Sequence, residues 1–237
     1  MPSSSKHPPQ QQNDNDDKSR PVVQNAKPTS HTDLPPIPPN ADDTEAYCSV
    51  LLFYQYVEPL WNPSQHKRAL RKLMELARDH NVTGRGRVAP EGLNCTLTGP
   101  APGIRAVCLG LRAFDALFEN TDFKITDFVP RSKQFKSLSV RKTQELVAYG
   151  LQGDAVAPSL SHFQGTHLEA TDWHDALQDP DAVVIDVRNF YETKLGAFKA
   201  PPGGAKLVDP KLRNSVEFPK VRNCGIQCSG LFISLSL

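Results

Sequence analysis

The run Ala182-Val183-Val184-Ile185-Asp186-Val187-Arg188 constrains the fold of this chain more than any other stretch. Unbroken apolar residues rich in β-branching mark a strand covered on both faces, and such strands belong to parallel sheets flanked by helices. In sheets of that kind ligands collect beyond the carboxyl ends of the strands. Asp186 and Arg188 stand at that end, either as part of a reactive site or as a structural ion pair closing a loop.

A hydrophobic content of 38% over 237 residues is low for one compact body, which allows one or two domains and an unpacked portion. The deficit is local. Residues 1–46 hold nine of the 21 prolines and the polar tract Gln10 to Asp17, with almost no aliphatic side chains. Such a mixture cannot bury enough surface to offset its ordering entropy, so a disordered tail is predicted over 1–46. Pro35-Pro36-Ile37-Pro38-Pro39 favours polyproline II geometry, as a linker or as a ligand for a proline-reading module. The tail carries four Lys and Arg against seven Asp and Glu, leaving 23 against 19 in residues 47–237, a mildly basic balance that permits contact with nucleic acid. The tail lacks the arginine-rich amphipathic pattern of a transit peptide, and no apolar run reaches membrane-spanning length. A soluble, intracellular, cytoplasmic protein with no membrane partner is expected. The cysteines at 48, 95, 108, 224 and 228 do not resemble a disulfide framework. Cys95 within a strand and Cys108 on the apolar face of a helix read as core residues.

Between 47 and 152 the periodicity changes repeatedly. Val50 to Val57 is β-branched and aromatic and ends in a proline-marked turn, as a strand does. Ser64 is the expected N-cap of a helix whose Leu70, Leu73, Met74 and Ala77 share a face, ending at His80-Asn81. Residues 82–98 read as a hairpin turning at Pro90-Glu91-Gly92. Gly99-Pro100 opens a second helix with Ile104, Val107, Cys108, Leu111 and Phe114 on one face, and a last strand lies near Phe123 to Val129. The order β-α-β-β-α-β predicts an α+β ferredoxin-like domain, with two helices covering one face of an antiparallel sheet. That fold by itself names no activity.

The charges of this unit are concentrated. Arg131, Lys133, Lys136, Arg141 and Lys142, with Phe135 among them, fall in a stretch from 128 to 144 that has no Asp or Glu. Arg85 and Arg87, two apart on a strand, share one face. Cations interleaved with an aromatic suit phosphate neutralisation with base stacking, and they equally suit an ordinary solvated face. No cofactor and no metal site are expected.

Downstream, Thr171 is the expected N-cap of a helix with Trp173, Ala176 and Leu177 facing inward, stopped by Asp179-Pro180-Asp181 before the Ala182 strand. Gly165-Thr166-His167-Leu168, then Val184 to Glu192, then Gly196-Ala197-Phe198-Lys199, resemble the opening of a rhodanese domain. Taken with Leu52-Phe53-Tyr54, the run from Gly84 to Gly99 and the run from Leu138 to Val147, they resemble the tRNA uridine hydroxylase family over roughly residues 48–222. The resemblance implies a ferredoxin-like domain followed by an α/β rhodanese-like domain at 163–237. It also implies tRNA as partner, oxygen-dependent hydroxylation of the wobble uridine at carbon 5, and a cysteine in a loop similar to Cys-Thr-Gly-Gly-Ile-Arg-Cys. Successive backbone N–H groups in such a loop cradle an anion and lower the thiolate pKa. Asp186 and Arg188 match the family's Asp-x-Arg, which the resemblance implies braces that loop. Sulfurtransfer is the alternative chemistry, and a non-catalytic RNA- or protein-binding module the alternative of a different class.

After Lys220 the chain departs from this pattern. Cys224-Gly225-Ile226-Gln227-Cys228 overlays the familial loop only with two residues deleted and Gln227 in place of its Arg. Cys224 is thus the candidate nucleophile on a poorly organised anion site, and two thiolates alone do not make a closed zinc site. The tail reads as unrelated to the domain it follows, the product of a shifted reading frame, a retained intron or a truncated gene. The rhodanese-like domain is therefore expected to be incomplete, with its strand at 182–187 left partly uncovered and its sheet edge unpaired.

Overall fold

Alternation along Tyr47–Tyr56 (β1) buries Leu51, Phe53 and Gln55 and exposes Leu52 and Tyr54, so one face of this strand meets a core and the other does not. The computed structural model describes residues 34–150, 159, 168–217 and the backbone of 232–235. After β1 come a helix Pro63–Asp79 (α1), strands Thr83–Ala89 (β2) and Gly92–Gly99 (β3), a helix Ala101–Phe114 (α2), and strands Lys124–Pro130 (β4) and Leu138–Lys142 (β5). The sheet order is β4-β1-β3-β2-β5, antiparallel except for the β2–β5 pair. The βαββαβ order and its central strands are those of the ferredoxin-like fold.

Both helices lie on one face. Leu51, Phe53, Val88, Leu93, Cys95 and Leu97 from the strands pack with Leu73, Ala77, Ile104, Val107, Cys108 and Leu111 from the helices. Burial pushes the Cys95 and Cys108 thiols up to about 12, which makes them packing residues rather than nucleophiles. The N-cap of α1 is Asn62, not Ser64: its side chain accepts from the Ser64 and Gln65 amides while Gln65 returns a bond to the Asn62 amide. Pro63, whose missing N–H costs nothing at the first helical position, sets that start. The buried stripe of α1 is His66, Ala69, Leu73, Leu76 and Ala77, with Leu70 and Met74 only half-buried at its border. His66 satisfies its ring nitrogen on the Val88 carbonyl at 2.7 Å.

β5 is absent from the expected strand order. It holds only two apolar residues, Leu138 and Val140, and is a strand because it pairs with β2 at the sheet edge. Residues 34–41, which composition assigns to a disordered tail at 1–46, are instead packed on the domain. Leu34 packs against the main core, Ala41 is buried, and the Pro35 and Pro36 carbonyls accept from Arg105 at 2.9 and 3.2 Å. Residues 1–33 lie outside the described residues.

The second unit has a helix Ala170–Ala176 (α3), a strand Val183–Asp186 (β6), a helix Phe190–Leu195 (α4), and strands Lys206–Val208 (β7) and Phe232–Leu235 (β8). Glu169, not Thr171, occupies the N-cap position of α3, because the helix starts one residue before that threonine. β7 and β8 flank β6, both parallel to it. The edge expected to stay unpaired is therefore filled by residues of the C-terminal tail, since parallel pairing needs only an extended stretch in register with Val183 to Asp186. The core beneath is small: Leu177, Ala182, Val184 and Ala205 are buried, with Trp173 and Ala176 packed beside them.

Candidate nucleic-acid interface and strand-tip ion pair

Register places the candidate cations of the first unit. The residues of β2 that alternate with Gly84, Gly86 and Val88 are Arg85 and Arg87, and both are exposed on the face away from the helices. Arg87 pairs with Asn94 of β3 and with Arg141 of β5, while Asn94 pairs with Tyr54 of β1. One line across the sheet therefore reads Tyr54, Asn94, Arg87, Arg141. The neighbouring line reads Lys124, Leu52, Thr96, Arg85, Ser139. Asp127 is the one acidic residue in the five strands, and it points to the helix side, where Arg105 holds it. The open face thus presents cations without a carboxylate from its own strands.

Of the remaining candidates, Arg131, Lys133 and Lys136 lie on the link between β4 and β5, which sit at opposite edges of the sheet, and Lys142 ends β5. This link crosses the sheet end at β3 and β2: the Phe135 amide donates to Thr98 Oγ1 at 3.0 Å, and Thr83 Oγ1 donates to the Phe135 carbonyl at 2.7 Å. Arg131, Lys133 and Lys136 are exposed along it. Lys142 is not on the open face, because it alternates with Arg141 and shares the side of Val140. Phe135 is not free for a base: it is half-buried, and the Arg85 guanidinium lies 5.1 Å from its ring centroid. Arg85 is pinned further by donating to the Gly84 and Ser137 carbonyls at 3.1 and 3.0 Å.

One exposed aromatic of the open face was not singled out from the sequence. Tyr54, 45% exposed, stands on the open face beside Leu52 at 40%, braced by an edge contact with Tyr56 at 6.1 Å. The signal was the alternation of β1 itself, which puts positions 52 and 54 opposite 51 and 53. Also missed was the buried group Arg105–Asp127–Ser49, with Arg105 Nη1 and Nη2 bonding the two carboxylate oxygens at 3.0 and 2.9 Å and Ser49 Oγ donating at 2.5 Å. It ties α2, β4, β1 and the Pro35-Pro36 backbone together.

In the second unit Asp186 and Arg188 form a bidentate pair. Arg188 Nε and Nη2 donate to the two carboxylate oxygens at 2.9 and 2.7 Å, the Arg188 amide donates at 3.2 Å, and Nη2 also reaches the Gly196 carbonyl at 2.9 Å. These bonds, the side-chain ones first, outweigh burial and hold the Asp186 carboxyl below the usual carboxylate range. With Nε, Nη2 and the backbone amide of Arg188 all bonded within the segment 186–196, the pair closes the turn after β6. A shallow cleft beside it is lined by Val184, Thr193, Phe198, Leu207 and Asp209. The candidate nucleophile Cys224 and its neighbour Cys228 lie outside the described residues. Among the described residues no group of three or more His, Cys, Asp or Glu side chains is placed to hold a metal ion, and no helix is long and apolar enough to cross a membrane.

Residues 48–146 match the family described as the UPF0176 acylphosphatase like domain. A tRNA uridine(34) hydroxylase of Synechococcus sp. (strain CC9902) is 33% identical over 174 residues, which cover 72% of this chain and 52% of that protein. Its counterpart in Agrobacterium fabrum (strain C58 / ATCC 33970) is 36% identical over 151 residues, covering 62% and 43%. Rhodanese-like domain-containing protein 6 of Arabidopsis thaliana is 29% identical over 199 residues, covering 75% of this chain and 32% of that protein. The chain spans about half the length of the two hydroxylases and about a third of the plant protein.

Proposed function

Because residues 48–146 belong to the UPF0176 acylphosphatase-like family and the chain is related to tRNA uridine(34) hydroxylases, we propose that it is a tRNA-binding protein of the wobble-uridine-modifying type. The observation that carries this reading is the open sheet face, where Arg85, Arg87 and Arg141 stand with no carboxylate from the five strands, and Lys124 at the far edge pairs with Asp122 at 3.7 Å. Phosphates supply the complementary charge, and cations on adjacent strands gain by releasing the counterions of a polyanion. In this reading the unit at 47–152 holds the anticodon arm. The rhodanese-like unit at 163–237 contributes the Asp186–Arg188 brace.

Hydroxylation of uridine to 5-hydroxyuridine belongs to the full-length gene product in this reading, and the chain itself is catalytically impaired. The segment Cys224 to Cys228 is two residues shorter than the family's loop and has Gln227 where that loop has an arginine, so it lacks two backbone donors and a cation for an anionic sulfur or oxyanion. Mass spectrometry of tRNA nucleosides tests both parts. Cells lacking the full-length gene should lose 5-hydroxyuridine, and expression of this chain should not restore it. Unchanged 5-hydroxyuridine in those cells overturns the family role. Restoration by the chain that is abolished by Cys224→Ser overturns the impairment. Thiocyanate produced from thiosulfate and cyanide would mark a sulfurtransferase instead.

A further inference from the structure

We infer that the open face of β1–β5 is a platform for single-stranded RNA, on which Tyr54 stacks a base while Arg87 and Arg141 hold the phosphates that follow it. The inference rests on the tRNA reading above and narrows it to a strand rather than a duplex. Tyr54, Asn94, Arg87 and Arg141 stand on four adjacent strands in one register line. Strands lie about 4.8 Å apart, so the aromatic and the nearer cation are separated by roughly 10 Å. A base and the phosphate of a neighbouring nucleotide fit that span.

The apolar character of the centre decides against a duplex. Leu52 and Tyr54 are among the more exposed large apolar side chains of the first unit; Leu52 stands between Lys124 and the Thr96–Arg85 side of its line, and Tyr54 opens the line that runs through Asn94 to Arg87 and Arg141. A duplex keeps its base faces stacked within itself and offers phosphate ridges and groove edges, so it leaves such a patch uncovered. An unstacked base covers it with its π-face. The aromatic that lies among the basic residues of the link, Phe135, is already occupied by Arg85, whereas the Tyr54 ring is braced at its edge by Tyr56 and stays open. Asn94, between Tyr54 and Arg87, is half-exposed and supplies an amide to a base edge. Tyr47 and Phe128, in edge contact at 5.4 Å beside Arg131, extend the aromatic surface toward the end of the sheet where the link crosses.

Titration of the full chain with a short labelled oligouridylate, a blunt RNA duplex and unmodified tRNA tests this. The oligouridylate and tRNA should bind and the duplex should bind more weakly. Tyr54→Ala should weaken the oligouridylate roughly ten-fold with little change in salt slope, and Tyr54→Phe should retain wild-type affinity. Arg87→Ala should reduce the salt slope by about one. Equal affinity for strand and duplex, or a Tyr54→Ala variant that binds as the wild type does, overturns the platform while leaving tRNA binding standing. A Tyr54→Phe variant as weak as Tyr54→Ala, with an unchanged melting curve, also overturns stacking, because the ring is retained. Failure of all three RNAs to bind at low salt removes the tRNA reading with it.

Discussion

Arg105 neutralises the one carboxylate that the strands of the first unit carry, and it does so out of water. Burial alone would raise the Asp127 carboxyl, but the Arg105 fork and the Ser49 hydroxyl outweigh it and hold the group below the usual carboxylate range. Removing the cation leaves a buried charge unpaired, so Arg105→Ala should cost about 3 kcal/mol in urea unfolding, whereas Arg141→Ala on the exposed face should stay within about 0.5 kcal/mol. Asp127 and Asp186 both ionise below their unfolded value. A depressed carboxylate contributes stability that is complete above its unfolded pKa of about 4 and is lost as pH falls through its folded value. The urea midpoint of the chain should therefore fall as pH drops below about 4, and the fall should be shallower in Asp127→Asn. An identical pH dependence in that variant would show that Asp127 contributes nothing to it.

The β2–β3 hairpin depends on backbone that only glycine adopts easily. Gly92 has φ +136° in the turn after Pro90-Glu91, and a Cβ there would lie 1.9 Å from the Gln55 carbonyl oxygen of the neighbouring strand. Gly92→Ala should thus lower stability by about 2 kcal/mol or more, with a reduced thermal midpoint as the readout. The hairpin was legible in the sequence because its turn residues and alternation agree, and β1, α2 and β4 were legible for the same reason. β5 was not, since its partner strand lies some fifty residues away and two apolar side chains leave no period to read. Phe135 and Tyr54 illustrate the same limit within the site. Nearness in sequence to lysines and arginines favoured Phe135, while the register that sets Tyr54 in line with Arg87 and Arg141 exists only in the folded sheet. The Asp186–Arg188 pair was legible as a strand-tip feature, and the structure shows it as a bidentate ion pair that also reaches the Gly196 carbonyl.

The two units differ in how much core supports them. Among the described residues the first cluster has twenty buried hydrophobic residues and the second has four. Apolar burial supplies the main favourable term of folding, so residues 47–152 should unfold cooperatively when expressed alone, while residues 163–237 should not. Dispersed amide resonances and a sharp melting transition from the 163–237 segment would contradict that assignment. The molecule then pairs a well-supported ferredoxin-like unit with a weakly supported second unit, in which β8 closes an edge that would otherwise template association.

RNA binding by the open face is tested most directly by the salt dependence of tRNA binding, measured on the full chain and on a variant with Arg85, Arg87 and Arg141 all changed to Ala. Binding should be measurable at low salt, with an affinity that falls linearly with salt on logarithmic axes and a slope reduced by roughly two to three in the triple variant. A triple variant with wild-type affinity and slope, or a chain that does not bind tRNA at low salt, would contradict RNA binding by that face.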